Sequence, residues 1–274
     1  MANRLQQIEE GVRFIQEKIQ LKPDIGLILG SGLGVLAEEI ENPIIIDFHD
    51  IPHFPPSTVA GHEGRLVVGT LGGKSVIAMQ GRIHYYEGYT MSQVVFPVYV
   101  MKGLGISSLI VTNACGGINR GFQAGDLMVI EDHLNLTGDH PLIGPNMEIF
   151  GPRFPDMSRA YHPEYRELAK RKAVELGFTL QEGVYAGISG PAYSTPTELI
   201  MLARFGADAV GMSTVPEVIA AAHAGLKVLG ISCVTDKAVG EELEPLSHEQ
   251  VMEMALQARP RFISLVKALL PEVH

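Results

Sequence analysis

The sequence predicts an α/β fold in which a mixed, mainly parallel β-sheet is flanked by helices. Short apolar runs rich in valine and isoleucine alternate along the chain with segments of helical periodicity. This alternation favours helices on both faces of the sheet, because each connection between parallel strands then crosses one face. The composition shows no break, no repeat and no low-complexity linker, so we expect one domain over residues 1–274.

Six apolar runs bounded by glycine, asparagine or aspartate have the length and composition of buried strands. They are residues 25–29, 76–79, 108–112, 127–130, 184–188 and 228–234. Long helices are predicted at residues 4–20, 163–176 and 247–270. Residues 135–161 contain four prolines and neither pattern, which is typical of a functional or interface loop.

Capping boxes mark several predicted helix starts. In this pattern the first side chain accepts a backbone N–H and the fourth side chain bonds back to the first residue. The pairs are Thr90 with Gln93, Thr195 with Glu198, Thr214 with Glu217, and Ser247 with Gln250. Pro196 would occupy the first helical position, where its missing N–H is harmless.

The chain carries 21 Lys and Arg against 31 Asp and Glu, for a net charge of −10. This charge disfavours nucleic acid and anionic membranes as partners, so any bound phosphate must occupy a local pocket. No apolar run approaches the roughly 18 residues of a membrane helix. The two cysteines, Cys115 and Cys233, are too few for a disulfide framework and lack metal-ligand spacing. We therefore expect a cytoplasmic protein without a metal.

The segment 30–34, Gly-Ser-Gly-Leu-Gly, follows a predicted strand and precedes a predicted helix. Such a segment can hold an anion with backbone N–H groups, or it can simply be a tight turn. A dinucleotide fingerprint would need glycine at position 35, which is Val35, and the Gly-Lys-Ser/Thr of a P-loop is absent. A NAD-binding protein is therefore excluded on its motifs.

Arg82, His84 and Tyr86 alternate, so their side chains share one side if the segment is extended. An arginine fork suits a phosphate dianion, and a neighbouring histidine can add a hydrogen bond. The segment 113–117, Asn-Ala-Cys-Gly-Gly, follows another predicted strand and offers either a backbone nest for an anion or an ordinary turn.

Three segments together carry a family resemblance. They are Gln-Gly-Arg-Ile-His-Tyr-Tyr-Glu-Gly at 80–88, Gly-Pro-Ala-Tyr-Ser-Thr at 190–195 and Gly-Met-Ser-Thr-Val-Pro-Glu-Val at 211–218. They closely resemble the trimeric purine nucleoside phosphorylases, and the resemblance covers nearly the whole chain. It implies a partly closed barrel, a homotrimer, and reversible phosphorolysis of purine nucleosides or 2′-deoxynucleosides to free base and (deoxy)ribose 1-phosphate. Inorganic phosphate would be the co-substrate, and no cofactor is expected.

The resemblance also assigns residues to phosphate and to the ribose and the base of the nucleoside. For phosphate they are Ser31, His62, Arg82, His84, the backbone at Ala114, and Ser213. For ribose they are Tyr86, Met212 and His248, with Phe154 supplied by the neighbouring subunit, and for the base they are Tyr193, Ser194 and Asp236.

The chain departs from the family at the base. The family usually has glutamate at the position of Ser194 and asparagine at that of Asp236. Adenine has a bare N1, toward which a serine hydroxyl can donate, and a 6-amino group, from which a carboxylate can accept. A protonated Asp236 could instead donate toward N7 as the base departs. Both changes favour a 6-aminopurine such as adenosine, unless Asp236 is only a surface acid paired with Lys237.

Three alternatives stay open at this point. A methylthioadenosine phosphorylase shares the serine and aspartate, but His248 offers a hydrogen bond where a methylthio group needs an apolar partner. The usual preference for inosine and guanosine could also persist. A non-catalytic nucleoside-binding module is the third alternative, although Arg82, His84 and Ser213 would give it a phosphate pocket that it does not need.

Overall fold

The computed structural model describes residues 2–59, 61–243, 245 and 247–274. The strands β1 to β9 are Ile25–Leu29, Glu41–Asp47, Arg65–Leu71, Lys74–Gln80, Ser108–Gly117, Leu127–Leu136, Gln181–Ile188, Ala209–Gly211 and Lys227–Lys237. The helices α1 to α7 are Ala2–Lys18, Met91–Val94, Phe96–Leu104, Pro163–Glu175, Pro196–Arg204, Val215–His223 and His248–Leu269.

The nine strands form one sheet in the order β2-β3-β4-β1-β5-β8-β7-β6-β9, and β9 also pairs with β5. The second pairing closes β5, β8, β7, β6 and β9 into a ring, while the other four strands extend the sheet outward from β5. Five of the strand pairs are parallel and four are antiparallel. The predicted α/β class, with a mixed, mainly parallel and partly closed sheet flanked by helices, is confirmed.

Apolar clusters cover both sides of the sheet. Helices α1, α3 and α6 contribute to one cluster, and α4 and α7 contribute to the other. In α7 the residues Ala258, Phe262 and Leu265 recur at helical spacing and are all fully buried. The helices therefore hold the strand ends in fixed positions, which is what a binding site between those ends requires.

All six predicted strands and all three predicted long helices are present, with some of the strands longer than expected. The sequence did not indicate β2, β3 or β8. Most of β2 is exposed and it contains Pro43, β3 is interrupted by Gly69, and β8 has only three residues. None of the three has the continuous apolar run of a buried strand.

Three of the four predicted capping boxes are confirmed, at Thr90, Thr195 and Ser247. The prediction at Thr214 is wrong. Thr214 has φ 73° and makes no side-chain capping bond. Its hydroxyl accepts a hydrogen bond of 2.9 Å from Asn113, and Glu217 pairs with Arg82 instead of reaching back along the helix. A buried arginine outcompetes a helix end for the carboxylate, because an unpaired buried charge is costly.

The segment 30–34 is a turn that leads into a short 3-10 helix, Gly34–Glu39, at the place of the predicted helix. The segment 113–117 is neither a nest nor a turn, since it continues β5 alongside β9, with a register shift between Cys115 and Gly116. Such a bulge leaves one residue of the ladder unpaired. No helix in the described part of the chain is long and apolar enough to cross a membrane.

The packing of α7 gives a direct test. Phe262 is 0% exposed, so Phe262→Ala should lower the free energy of unfolding by about 3–5 kcal/mol through lost burial and a cavity. Leu256 on the same helix is 47% exposed, so Leu256→Ala should change it by less than about 0.5 kcal/mol. Urea unfolding followed by circular dichroism measures both, and equal effects would contradict the assigned face of the helix.

Candidate active site

A cavity of about 340 Å³ lies where several strands end. That volume is in the range of small-molecule sites. The cavity brings together eleven of the thirteen residues predicted from the sequence, namely Ser31, Arg82, His84, Tyr86, Ala114, Tyr193, Ser194, Met212, Ser213, Asp236 and His248. His62 lies directly behind this wall, and Phe154 lies elsewhere.

Arg82 is the most deeply buried charged side chain of the site, with 1% of its surface exposed. Its Nε donates to Glu217 Oε1 at 3.0 Å. One terminal nitrogen, Nη1, donates to the carbonyl of Thr112 at 2.6 Å and to Ser213 Oγ at 3.1 Å. The other, Nη2, is buried and has no partner in the described structure. The guanidinium is therefore rigidly held, and one of its N–H pairs has no protein partner among the described residues.

Gly30 makes room for this arginine. A β-carbon at that position would lie 2.8 Å from the Thr112 carbonyl and 3.2 Å from Arg82 Nη1. Ser31, the next residue, reaches the cavity, and its hydroxyl is 3.2 Å from Nε2 of His62. The turn thus serves both as tight packing and as one edge of the site.

Three aromatic rings stack beside the arginine. The ring of His84 lies 4.7 Å from that of Tyr86 and 5.2 Å from that of His62. Glu87 holds the stack in place: its Oε1 accepts from the His84 backbone at 2.7 Å and lies 3.1 Å from His84 Nδ1. Its Oε2 accepts two hydrogen bonds from Thr58, which fixes the preceding loop against the site.

Both histidines are kept neutral near pH 7. Burial lowers the pKa of His62 to about 4, with His84 contributing further. Burial likewise lowers the pKa of His84, although Glu87 acts against it. Burial alone would raise the pKa of Glu87, but hydrogen bonds from His84 and Thr58 bring it down to about 2. A Glu87 carboxylate accepts the proton on Nδ1 of His84, so Nε2 of His84 is left as a hydrogen-bond acceptor.

Tyr86 and Met212 form the next part of the wall. They come together at Gly190, which has φ 69°; a β-carbon there would collide with the Met212 sulfur and lie 3.2 Å from the Tyr86 ring. Burial, followed by the charge of Glu87, raises the pKa of Tyr86 to about 12, so its hydroxyl stays protonated. His248, the first residue of α7, lines the same cavity.

Ser194 and Asp236 also line the cavity, together with the apolar side chains of Leu199, Val210 and Ala238. Asp236 Oδ1 accepts from Thr235 at 2.9 Å. Burial raises the pKa of Asp236, although Thr235 lowers it in part. Among the described residues its carboxylate forms no ion pair with the exposed Lys237, so the interpretation as a surface acid is wrong.

Phe154 is outside the cavity and 87% exposed, 5.7 Å from the guanidinium of Arg153. The surrounding loop is nevertheless anchored, because Asn146 bonds both the buried His223 and the carbonyl of Gly151. Cys115 lines the cavity and Cys233 lies in the neighbouring strand; both are free thiols whose pKa burial raises.

Sequence reasoning did not assign Glu87, Glu217, Thr235 or Asn113 to the site. Each lies within a segment that was already singled out or immediately before a predicted site residue. Proximity in the sequence was therefore the available signal, but only the structure shows that these side chains turn toward the same buried groups.

Comparison with known proteins defines the family. A sequence profile of the phosphorylase superfamily matches residues 24–271. Purine nucleoside phosphorylase 1 of Bacillus subtilis (strain 168) is 57% identical over 97% of this chain and 98% of its own length. The purine nucleoside phosphorylase of Mus musculus is 46% identical over 96% of this chain and 94% of its own.

Solved structures agree. The crystal structure of Schistosoma mansoni purine nucleoside phosphorylase in complex with adenosine has a TM-score of 0.93 and 42% identity, covering 98% of both chains. The corresponding complex with inosine has a TM-score of 0.93 and 40% identity, covering 98% of this chain and 97% of that one. The chain belongs to the phosphorylase superfamily. Within it, the chain falls among the purine nucleoside phosphorylases.

The neutral His62 predicts a pH dependence of stability. The unfolded chain binds a proton on this ring as the pH falls below about 6.5, but the folded protein does so only near 4. The stabilisation that the neutral ring provides is therefore lost as the pH falls from 6.5 toward 4. The destabilisation caused by His62→Gln should consequently be smaller at pH 5 than at pH 7.5 in urea unfolding.

The control is Leu256→Ala, since that exposed side chain carries no titratable group and its small cost should be the same at both pH values. A cost of His62→Gln that is the same at both pH values would contradict a buried neutral ring.

Proposed function

We propose that this purine nucleoside phosphorylase cleaves adenosine or deoxyadenosine with inorganic phosphate and no further cofactor. The products would be adenine and the corresponding pentose 1-phosphate. The proposal rests on the two ends of one cavity, a phosphate-binding end around Arg82 and a base-binding end around Ser194 and Asp236.

The strongest support for a phosphate site is Arg82: its side chain lines the cavity, and its Nη2 is buried and has no partner among the described residues. Buried polar groups are nearly always paired, so an orphaned charged donor indicates a missing anion. Ser31, Ser213 and the Ala114 backbone would add donors to the same anion. Nε2 of His84, as an acceptor, matches the single hydroxyl of hydrogenphosphate, so the phosphate would be bound as HPO₄²⁻.

The reaction needs positioning and charge complementarity more than covalent help. As the bond from C1′ to N9 breaks, its electron pair moves to the purine and C1′ gains positive charge. A phosphate oxygen then forms the new bond to C1′. Tyr86, Met212 and His248 line the same cavity and would contact the sugar. The departing base needs a proton or hydrogen bond at N7, which a protonated Asp236 could supply.

The base end supports a 6-aminopurine. A hydroxyl at Ser194 can donate to a bare N1, and Asp236 can accept from a 6-amino group. Asp236 is turned into the cavity and held by Thr235, as a base contact requires. The Schistosoma mansoni enzyme has been crystallised with adenosine and with inosine, so the family cavity admits both shapes. Discrimination must then come from a few polar side chains.

Two related activities compete with this proposal. A preference for inosine and guanosine would require that Ser194 and Asp236 do not alter the hydrogen bonds that the family usually makes to the base. Methylthioadenosine phosphorolysis is disfavoured because His248 lines the cavity at the position expected for the 5′ substituent. We also propose a homotrimer in which Phe154 of one subunit completes the sugar site of the next. Its 87% exposure on an anchored loop supports that role.

The specificity is tested with a panel of adenosine, inosine, guanosine and methylthioadenosine, each with and without phosphate. We expect base release only with phosphate, and fastest from adenosine. Ser194→Glu combined with Asp236→Asn should move preference toward inosine and guanosine. Each unpaired buried polar group costs roughly 1–3 kcal/mol, so the ratio of kcat/KM should shift by on the order of 10²-fold.

The control for this exchange is Lys237→Asn, which alters the exposed neighbour of Asp236 and should leave the substrate order unchanged. If the unmodified protein already prefers inosine, Ser194 and Asp236 do not confer a preference for adenosine. Base release without phosphate would instead reject the phosphorylase reaction, and binding without base release would favour a nucleoside-binding module.

The trimer gives a separate test. Phe154→Ala should raise the KM for nucleoside several-fold while leaving the KM for phosphate unchanged, because the side chain would contact only the sugar of the neighbouring subunit. Sedimentation should give three times the chain mass. A fully active monomer at micromolar concentration would refute the shared site.

A further inference from the structure

Glu217 lies beside the phosphate end of the cavity without lining it. It is buried in α6, with 3% of its surface exposed. Its Oε1 accepts from Arg82 Nε at 3.0 Å, while its Oε2 is buried and has no partner in the described part of the chain. The contact is therefore made with one oxygen and the inner nitrogen of the guanidinium.

This geometry differs from the two-pronged pairing that arginine and carboxylate commonly adopt. A bidentate pair would also occupy one of the terminal nitrogens of the guanidinium. Here Nη1 is held by Thr112 and Ser213, and Nη2 stays free. Glu217 thus fixes the plane of Arg82 without a hydrogen bond to either terminal nitrogen.

The pair also sets the charge of the pocket. Glu87 is an anion stabilised by hydrogen bonds from His84 and Thr58, and burial keeps His62 and His84 neutral near pH 7. Arg82 is then the one cation among the predicted phosphate residues, and Glu217 lies in direct contact with it. Buried charges interact far more strongly than exposed ones, so Glu217 must weaken the attraction between Arg82 and a phosphate dianion.

We propose that Glu217 is a positioning residue that also offsets the charge of Arg82, so that bound phosphate keeps its negative charge for the sugar cation of the transition state. The inference rests on the proposed phosphorolysis. Only interactions that grow stronger in the transition state accelerate the reaction. A phosphate fully neutralised by arginine would bind more tightly but would stabilise the positive C1′ less and attack it more slowly.

The atoms balance without another reactant. The C1′–N9 pair goes to the purine, and a phosphate oxygen supplies the pair for the new C1′–O bond. The proton that hydrogenphosphate loses in becoming the sugar phosphate dianion is matched by the proton that the purine gains. Glu217 takes part in none of these transfers; it acts through Arg82.

Glu217→Gln tests the idea, since the amide keeps the shape and can still accept from Arg82 Nε but removes the negative charge. We expect the KM for phosphate to fall at least about threefold and kcat to fall at least about tenfold. Glu217→Asp keeps the charge with a shorter reach, so it should recover most of the normal KM while kcat stays reduced.

The matched control is Glu182→Gln. Glu182 accepts from Arg166 at 2.8 Å and from Lys170 at 2.9 Å near the start of β7, at the opposite end from the cavity. Its loss should leave both kinetic constants unchanged. A purely structural role of Glu217 predicts the opposite sign, because a displaced Arg82 would raise the KM for phosphate.

Removing a buried charge partner can destabilise the fold. Phosphate binding is therefore also measured in the absence of nucleoside, where no turnover occurs. The rise in Tm caused by added inorganic phosphate should be larger for Glu217→Gln than for the unmodified protein. A smaller rise, a higher KM or an unchanged kcat would overturn the proposal. Absence of phosphate-dependent base release in the unmodified protein would instead reject the phosphorolysis on which it rests.

Discussion

The site depends on the burial of one guanidinium group. Arg82 is 1% exposed, and a charge at that depth persists only with partners that replace its water. The chain supplies them from three separate places: the carbonyl of Thr112 in β5, the hydroxyl of Ser213 after β8, and Glu217 in α6. These elements meet because β5 belongs both to the open part of the sheet and to the closed ring. The barrel closure is therefore also what assembles the partners of the arginine.

Much of the fold could be predicted from the sequence, because buried strands and amphipathic helices leave regular apolar patterns. The elements that were missed, such as Glu41–Asp47 and Ala209–Gly211, are exposed or very short and leave no such pattern. At the site, Arg82 and His84 could be assigned from their motif. The roles of Glu87 and Glu217 could not, since a glutamate beside a motif is equally typical of a capping box or a solvated surface. Only long-range packing decides between those possibilities.

In the proposed reaction, specificity and catalysis depend on different residues of the cavity. The phosphate end is built from a buried arginine, stacked rings and backbone, where a change in one group disturbs several others. The base end contains Ser194 and Asp236, of which Asp236 has one polar partner, Thr235. Polar groups with few mutual contacts can change independently at small structural cost. This division allows the polar groups at the base to change while the phosphate end is kept.

An acidic protein that binds a dianion must overcome its own charge. With a net charge of −10, the overall field of this chain opposes phosphate, and bulk attraction cannot supply the affinity. A pocket lined by several cations would bind phosphate strongly. The same cations would also reduce the negative charge that phosphate presents to the sugar. The structure instead places one cation beside a carboxylate and surrounds it with neutral histidines and hydroxyls. Neutral donors and acceptors orient an anion without cancelling its charge, so they recognise phosphate while leaving its negative oxygens effective toward the developing cation. A low positive charge in the phosphate site is then required by the proposed reaction and is also a consequence of burial.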